Sequence, residues 1–202
     1  MGKIDIVLAT RNPSKADQIR PFFKDTIFNI CTTAEMGIMD QAVEDGDTLY
    51  DNALKKARFA QSKLPGKLIV AEDTGIFIRA LNWRPGVHSA RWVGDNASTE
   101  EIMQHTLSEM RDKTDRFAYF QTVAIILSPE GISIPCKGRI DGEVLEAPQC
   151  PPQRKMPYSP LFRPKGETLV FAEMSIEYEN KISHRGIAFR KVRAELVDLI
   201  LP

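Results

Sequence analysis

Short apolar runs and helical repeats alternate along the chain, and their order predicts an α/β protein. The run Ile4–Ala9 is apolar except at Asp5 and predicts a strand buried on both faces. A second run of this kind covers residues 68–71, directly before Glu72. Four apolar positions between the two runs recur at helical spacing and predict a helix over 49–63: Leu49, Ala53, Ala57 and Ala60.

The rest of the chain continues this alternation, apart from one long segment without a regular pattern. The other predicted elements are a helix over 14–24, a strand over 27–31, a helix over 98–110, paired strands over 116–127 and 132–144, and a helix over 186–201. Pro21 lies inside the first of these helices, a position where proline breaks or kinks a helix, and Ser98 with Glu101 forms a capping box. Residues 146–166 are expected to form a long irregular loop. We therefore expect a mixed sheet with flanking helices, in a single domain over 1–202.

Composition narrows the function classes. The 202 residues are 43% hydrophobic and 27% charged, and the formal net charge is zero, so no basic surface for nucleic acid is expected. The longest apolar stretch, 123–127, is far shorter than the ~20 residues that span a bilayer. Cys31, Cys136 and Cys150 show no metal-ligand spacing and are interpreted as reduced thiols. No secretory signal is visible, so we expect a cytoplasmic protein that binds neither nucleic acid nor membranes.

A polar turn over Thr10–Lys15 is the first candidate site. It follows a predicted strand and opens a helix, where backbone N–H groups and a lysine suit an anion. The glycines and the Gly-Lys-Ser/Thr ending of a Walker A loop are missing. An ordinary helix-capping turn is the alternative interpretation.

The acidic segment Glu44–Thr48 is the second candidate site. It leads into the helix that carries Lys56, so a carboxylate could help to hold Mg²⁺ while the lysine reaches a phosphate. Acidic residues before a helix also complement its dipole, and that alternative stays open.

Two further clusters carry candidate chemistry. Glu72 and Asp73 are adjacent carboxylates that point to opposite sides in a strand, so one could bind a metal or activate a water while the other is structural. His184 and Arg185 stand at the start of the last helix and could recognise a base or a phosphate, or be surface residues.

Taken in order, these clusters and three further pieces resemble the Ham1 family of nucleoside triphosphate pyrophosphatases. The resemblance covers nearly the whole chain, through Leu8–Lys15, Glu44–Thr48 with Asn52–Ala57, Ala71–Gly75, Pro85–Arg91, Arg116–Phe120, Phe171–Met174 and Ser183–Gly186. It implies a two-lobed mixed β-sheet with flanking helices and a central active-site cleft, and a homodimer. It also implies Mg²⁺-dependent cleavage of ITP, dITP or XTP between the α- and β-phosphates, which yields a nucleoside monophosphate and pyrophosphate.

The resemblance also implies roles for individual residues. Glu44 and Asp73 would serve the metal, Asp73 would activate the attacking water, and Lys56 would assist in catalysis. The implied substrate-binding residues are Thr10, Asn12 and Lys15 at the triphosphate, with Thr74, Met156, Tyr158, Ser159, Ser183, His184 and Arg185 at the rest of the nucleotide. Three or four negative charges need Mg²⁺, lysines and backbone amides before water can attack phosphorus.

The chain departs from the family in the segments that face the base. The family has Gly-Phe-Gly-Tyr-Asp-Pro where this chain has 155–160, so Met156, Pro157 and Ser159 replace Phe, Gly and Asp. Losing an aromatic platform matters, because stacking contributes about 1–3 kcal/mol per base. Glu179 stands in place of a family lysine, and Lys181 follows two residues later.

His184 and Arg185 are retained, and in the family they read the 6-oxo group of the purine. An oxo-purine preference is therefore expected. Two alternatives stay open: the same hydrolysis of a different modified or standard nucleotide, or a nucleotide-binding module without turnover.

Overall fold

The computed structural model describes residues 3–153 and 155–200 and has the predicted alternation of strands and helices. The strands are β1 (Ile4–Leu8), β2 (Phe28–Thr32), β3 (Leu68–Ile78), β4 (Pro85–Gly86), β5 (Phe117–Leu127), β6 (Ser133–Val144) and β7 (Phe162–Pro164). The α-helices are α1 (Pro13–Ile19), α2 (Leu49–Lys63), α3 (Thr99–Met110), α4 (Ile176–Ile182) and α5 (His184–Ile200). In the part of the chain that is described, no helix is long and apolar enough to cross a membrane.

These strands form one mixed sheet, as the sequence predicts. The strand order is β2-β1-β3-β5-β6-β7, and β4 pairs with β3 beside this path. β1 is parallel to both β2 and β3, whereas β4 is antiparallel to β3 and β7 is antiparallel to β6. The prediction of an α/β fold with a mixed sheet and flanking helices is confirmed.

The chain divides into two compact units. The first unit contains the described residues up to Asp73, Thr122–Gly138 and the described residues from Arg185 onward. Residues from strands and from the first and last helices supply its core, which consists of Ile6, Leu8, Ala16, Ile19, Phe23, Phe28, Ile30, Leu68, Val70, Ala124, Ile126, Cys136, Phe189, Val192 and Leu196. The last three residues of β1, Ile6–Leu8, and the first residues of β3 are buried, as expected for strands covered on both faces, whereas Ile4 is half-buried and Asp5 is exposed.

The second unit contains Thr74–Gln121 and Arg139–His184. Its core is rich in aromatic residues and consists of Ile76, Ile78, Leu81, Ile102, Met103, Met110, Ala118, Phe120, Val144, Tyr158, Leu161, Phe162, Phe171 and Met174. Each unit therefore has an apolar core of its own. The single domain over 1–202 stays a prediction.

β3 is longer than the sequence predicts. The expected strand ends at Ala71, but the observed strand continues to Ile78. The extension pairs with β4, and Gly75 permits this pairing because a Cβ there would lie 2.4 Å from the Gly86 carbonyl oxygen. Glu72 and Asp73 consequently lie within a strand and not after its end.

Other boundaries also differ from the predictions. The helix predicted over 14–24 is too long: α1 ends at Ile19 and Arg20–Phe23, which include Pro21, form a 3₁₀ helix. The segment 146–166 is less irregular than predicted, because it contains β7. The short helix α4 was not predicted. The last helix begins at His184, two residues before its predicted start, and its predicted end at Leu201 lies outside the described residues.

Candidate functional site

The two carboxylates of β3 contact different helices of the first unit. Successive side chains of a strand point to opposite faces, so Glu72 and Asp73 are directed apart, as the sequence predicts. Lys15 of α1 pairs with Glu72, and Lys56 of α2 pairs with Asp73. The parallel strands β1 and β3 hold these elements together.

Glu72 lies in a buried network of cations. Its Oε1 lies 2.5 Å from Lys15 Nζ and 3.8 Å from Arg185 Nη2, and its side chain is 1% exposed. Arg185 also donates from Nη1 to the Gln18 side chain. Burial alone raises the pKa of Glu72, but the charges of Lys15, Arg185 and Lys56 hold it below its ordinary range. Glu72 is therefore ionised and fixes both Lys15 and Arg185.

Asp73 and Glu44 converge on one ammonium group. Lys56 Nζ lies 2.7 Å from Asp73 Oδ1 and 3.3 Å from Glu44 Oε2. Burial raises the pKa of Asp73, and the neighbouring Lys56 opposes this shift. Burial lowers the pKa of Lys56, but Asp73, Glu44 and Glu72 outweigh that effect and raise it, so this lysine stays protonated.

Asn52 also belongs to this cluster, although its role was missed in the sequence analysis. Its side chain is fully buried, donates to Asp73 Oδ2 at 3.3 Å and accepts from the Gly46 N–H at 2.8 Å. One signal was available: Asn52 follows Leu49 by three residues and precedes Ala53, so an amide lies on the apolar face of α2.

Thr10 and Asn12 shape the turn before α1. The Asn12 side chain accepts from the Ser14 N–H at 3.1 Å and caps the helix, and Thr10 Oγ1 accepts from the Asn12 N–H at 3.2 Å. The capping interpretation is therefore confirmed for Asn12. The anion-binding role of Thr10, Asn12 and Lys15 stays a prediction.

His184 belongs to the aromatic interior of the second unit. Its ring stacks on Phe120 with centroids 4.7 Å apart and planes 13° apart, and it is tilted against Phe171 at 5.7 Å. Ser183 follows the last residue of α4 and is also buried. His184 and Arg185 are both buried, so the interpretation as surface residues is wrong. Arg185 is 4% exposed within the first unit. Thr74 is half-buried in β3.

The loop over 155–159 is held together by its own hydrogen bonds. Ser159 Oγ donates to the Met156 carbonyl at 2.8 Å and accepts from the Gln153 N–H at 3.1 Å. Tyr158 is buried, its hydroxyl donates to the Ser89 carbonyl at 2.8 Å, and burial raises its pKa. Met156 is half-buried. Contact of Met156, Tyr158 and Ser159 with a nucleotide stays a prediction.

The charge substitution in α4 has a definite position. Glu179 is 3% exposed, whereas Lys181 is exposed. A carboxylate therefore lies in the interior of the second unit at the position where the resemblance implies a lysine, and Lys181 lies on the surface of this short helix.

The carboxylates of Glu44 and Asp73 are oxygen ligands of the kind that coordinate a hard cation together with phosphate oxygens. Within 3–153 and 155–200, no group of three or more His, Cys, Asp or Glu side chains is spaced to hold a metal ion. Mg²⁺ does not require such a group, since one or two carboxylates, waters and substrate phosphates commonly complete its octahedron. Both carboxylates approach the same ammonium, which shows that they are directed at one cationic position.

Comparisons with known proteins agree with this arrangement. A dITP/XTP pyrophosphatase of Thermoanaerobacter sp. (strain X514) is 37% identical over 190 residues, which cover 93% of this chain and 94% of that protein. A solved structure of a HAM1 protein from Coxiella burnetii is 31% identical, covers 96% of this chain and 99% of its own, and superposes with a TM-score of 0.83. The Ham1 protein of Staphylococcus aureus is 29% identical over 96% of this chain and 99% of its own, with a TM-score of 0.82. The sequence model of the Ham1 family matches residues 6–195, and the chain therefore belongs to this family.

Proposed function

We propose that this chain is a Mg²⁺-dependent pyrophosphatase that hydrolyses the non-standard purine nucleotides ITP, dITP and XTP. The convergence of Glu44, Lys56 and Asp73 in the first unit carries the proposal. Membership of the Ham1 family and relatives named dITP/XTP pyrophosphatase support it. Water adds to the α-phosphorus, the bond from that phosphorus to the α,β-bridging oxygen breaks, and nucleoside monophosphate and pyrophosphate leave.

Glu44 and Asp73 are the residues that would hold Mg²⁺. When bound, the ion would neutralise phosphate charge and polarise the phosphorus centre. Asp73 Oδ1 would also accept the proton of the attacking water, and the raised pKa of this carboxyl brings it nearer to neutral pH. Lys56 is protonated beside both carboxylates and would stabilise the charge that develops on the phosphate oxygens.

The triphosphate would contact the start of α1. Lys15 supplies a positive charge there, and Thr10 and Asn12 supply short polar side chains. The ion pair with Glu72 holds the Lys15 ammonium in place before substrate arrives. Preorganised charge of this kind stabilises a transition state more than mobile charge does.

Arg185 supports a preference for an oxygen at C6 of the purine. Its two Nη atoms contact Gln18 and Glu72, while its buried Nε has no hydrogen-bond partner among the described residues. A buried donor is satisfied by an oxo group and meets another donor in the amino group of adenine. The difference is worth about 1–3 kcal/mol. His184, Ser183, Thr74, Met156, Tyr158 and Ser159 are proposed to line the rest of the nucleotide.

A nucleotide panel tests this proposal. Pyrophosphate and monophosphate would be measured with Mg²⁺ for ITP, dITP, XTP and the standard ribo- and deoxyribonucleotides. We expect activity on the three oxo-purine substrates and little on ATP or dATP. Preference for another nucleotide would assign the base selectivity to the altered loop over 155–159. Nucleotide binding without hydrolysis would show that the protein is a nucleotide-binding module and not an enzyme.

A homodimer is also proposed, on the family resemblance. Sedimentation or light scattering of the purified chain would test it. A mass of one chain, 22.8 kDa, at micromolar concentration would contradict the dimer.

A further inference from the structure

We propose that Asn52 is a positioning residue that holds Asp73 and the acidic segment Glu44–Thr48 in the arrangement that binds Mg²⁺. This inference rests on the proposed function. Asn52 would not touch the substrate. It would act through the two carboxylates, by fixing the orientation of one and the backbone that carries the other.

The first contact is with Asp73. Each oxygen of this carboxylate has its own donor, since Oδ1 accepts from Lys56 at 2.7 Å and Oδ2 accepts from Asn52 at 3.3 Å. Two donors from one helix determine the plane of the carboxylate as well as its position. With the Asn52 amide removed, the lysine alone remains and the carboxylate can rotate about its χ2 torsion.

The second contact is with the acidic loop. Asn52 Oδ1 accepts from the Gly46 N–H at 2.8 Å, and Gly46 follows Glu44 by two residues. The approach is close, because a Cβ on Gly46 would lie 2.8 Å from the Asn52 side-chain oxygen and 2.7 Å from Asp51 Cβ. Only glycine lets the backbone lie this near to α2, so the loop is tied to the helix at this point.

The two bonds use both ends of one amide. A single buried side chain, 0% exposed, thus links the backbone of the segment that carries Glu44 to the carboxylate of Asp73, which lies 21 positions after Asn52. Residues that orient metal ligands in this way typically change metal affinity or activity about 10–100-fold when they are replaced. A merely structural asparagine would change stability alone.

Gln61 supplies a matched control. It lies on the same helix, and its amide Nε2 donates to the Ser128 carbonyl at 2.7 Å, away from the carboxylate cluster. Asn52→Leu and Gln61→Met each replace an amide by an apolar side chain of similar shape. Asn52→Ala removes both hydrogen bonds without adding bulk or charge, and it serves if the leucine variant does not fold.

The experiment measures three quantities for each variant. These are kcat and KM for dITP, the Mg²⁺ concentration for half-maximal activity, and Mg²⁺ affinity by calorimetry with the non-hydrolysable α,β-methylene analogue of dITP bound. Urea unfolding reports stability separately. We expect Asn52→Leu to lower kcat and weaken Mg²⁺ binding about tenfold or more, with Gln61→Met close to wild type in both.

Two results would overturn the inference and are distinct from failure of the proposed function. The first is an Asn52→Leu or Asn52→Ala protein with wild-type kcat and Mg²⁺ affinity but lower stability. The second is an equal loss of Mg²⁺ affinity in Gln61→Met. A wild-type protein that releases no pyrophosphate would refute the proposed function, while the calorimetric comparison would still decide the role of Asn52.

Discussion

Glu72 and Asp73 are consecutive residues of β3, yet their carboxylates bind different lysines. Glu72 Oε1 lies 2.5 Å from Lys15 Nζ, and Asp73 Oδ1 lies 2.7 Å from Lys56 Nζ. The alternation of side chains along the strand separates the two pairs. One pair belongs to a network that includes the buried Arg185, and the other includes the partly exposed Glu44. The two carboxylates therefore have different expected roles.

Replacing Glu72 by glutamine is predicted to destabilise the protein. Lys15 and Arg185 would lose a buried anion, and breaking a buried ion pair on one side costs about 3–5 kcal/mol. The folded pKa of Glu72 is depressed below its ordinary 4.5. This stabilisation is hence fully present above pH 4.5 and is lost as the pH falls toward the folded pKa. Urea unfolding at pH 7 and at pH 3 would measure the difference between variant and wild type.

Asp40 supplies the control for this experiment. Its ion pair with Lys63 is at the surface, with side chains 73% and 44% exposed, so Asp40→Asn should change stability little. Equal unfolding curves for Glu72→Gln and Asp40→Asn would show that the Glu72 network does not stabilise the fold.

Asn12 can be tested as a cap and as a phosphate ligand separately. Asn12→Asp keeps an acceptor for the Ser14 N–H, so the thermal midpoint should stay close to that of wild type. The added charge would repel the triphosphate and raise KM for dITP about tenfold, or about 1.4 kcal/mol. Asn12→Ser retains capping without the charge and should raise KM less. Identical KM values for the two variants would remove Asn12 from the phosphate site.

Tyr158→Phe tests whether the tyrosine hydroxyl is structural. The change leaves the Ser89 carbonyl without its donor, so the free energy of unfolding should fall by about 1–3 kcal/mol. The ring is retained, so KM and base selectivity should not change. Urea unfolding and steady-state kinetics would measure both effects. A stable variant with altered base selectivity would instead place the hydroxyl on the substrate.

Met156→Phe tests the altered loop. The new ring would provide the stacking platform that the family resemblance implies, and KM for dITP should fall about tenfold, since one stacked base contributes about 1–3 kcal/mol. Met156→Leu is the control for hydrophobic volume. We prefer this change to Ser159→Asp, because Ser159 is only 5% exposed and its hydroxyl donates a hydrogen bond within the loop that the aspartate would remove. An unchanged KM in both variants would show that the side chain at position 156 does not contact the base.

Local patterns predicted many elements of the fold. The repeat along α2 and the capping box at Ser98 depend on neighbours within a few residues, and both are confirmed. The extension of β3 depends on its pairing with Pro85 and Gly86. These two residues form too short a strand to be predicted from a local sequence pattern. Helix α4 has only seven residues and an acidic first turn, so its hydrophobic periodicity is too short to recognise.

The sequence predicted the charged residues of the candidate site but not the hydrogen bonds that connect them to other residues. Glu44, Lys56 and Asp73 were identified from the sequence, and the structure brings them together. The bonds of Asn52 and the contact of Arg185 with Gln18 join positions far apart in the chain, where a single sequence carries no distance information. The roles of these residues in turnover stay predictions.

Pyrophosphate release from dITP with Mg²⁺ by wild type, Asp73→Asn and Asp47→Asn tests the central claim most directly. Asp47 is an exposed carboxylate of the same acidic segment as Glu44 and controls for the loss of one negative charge. We predict release by wild type and Asp47→Asn, and a rate for Asp73→Asn lower by about 10²–10⁴-fold, as expected for loss of a general base. An Asp73→Asn protein that releases pyrophosphate at the wild-type rate would contradict the assignment of this carboxylate.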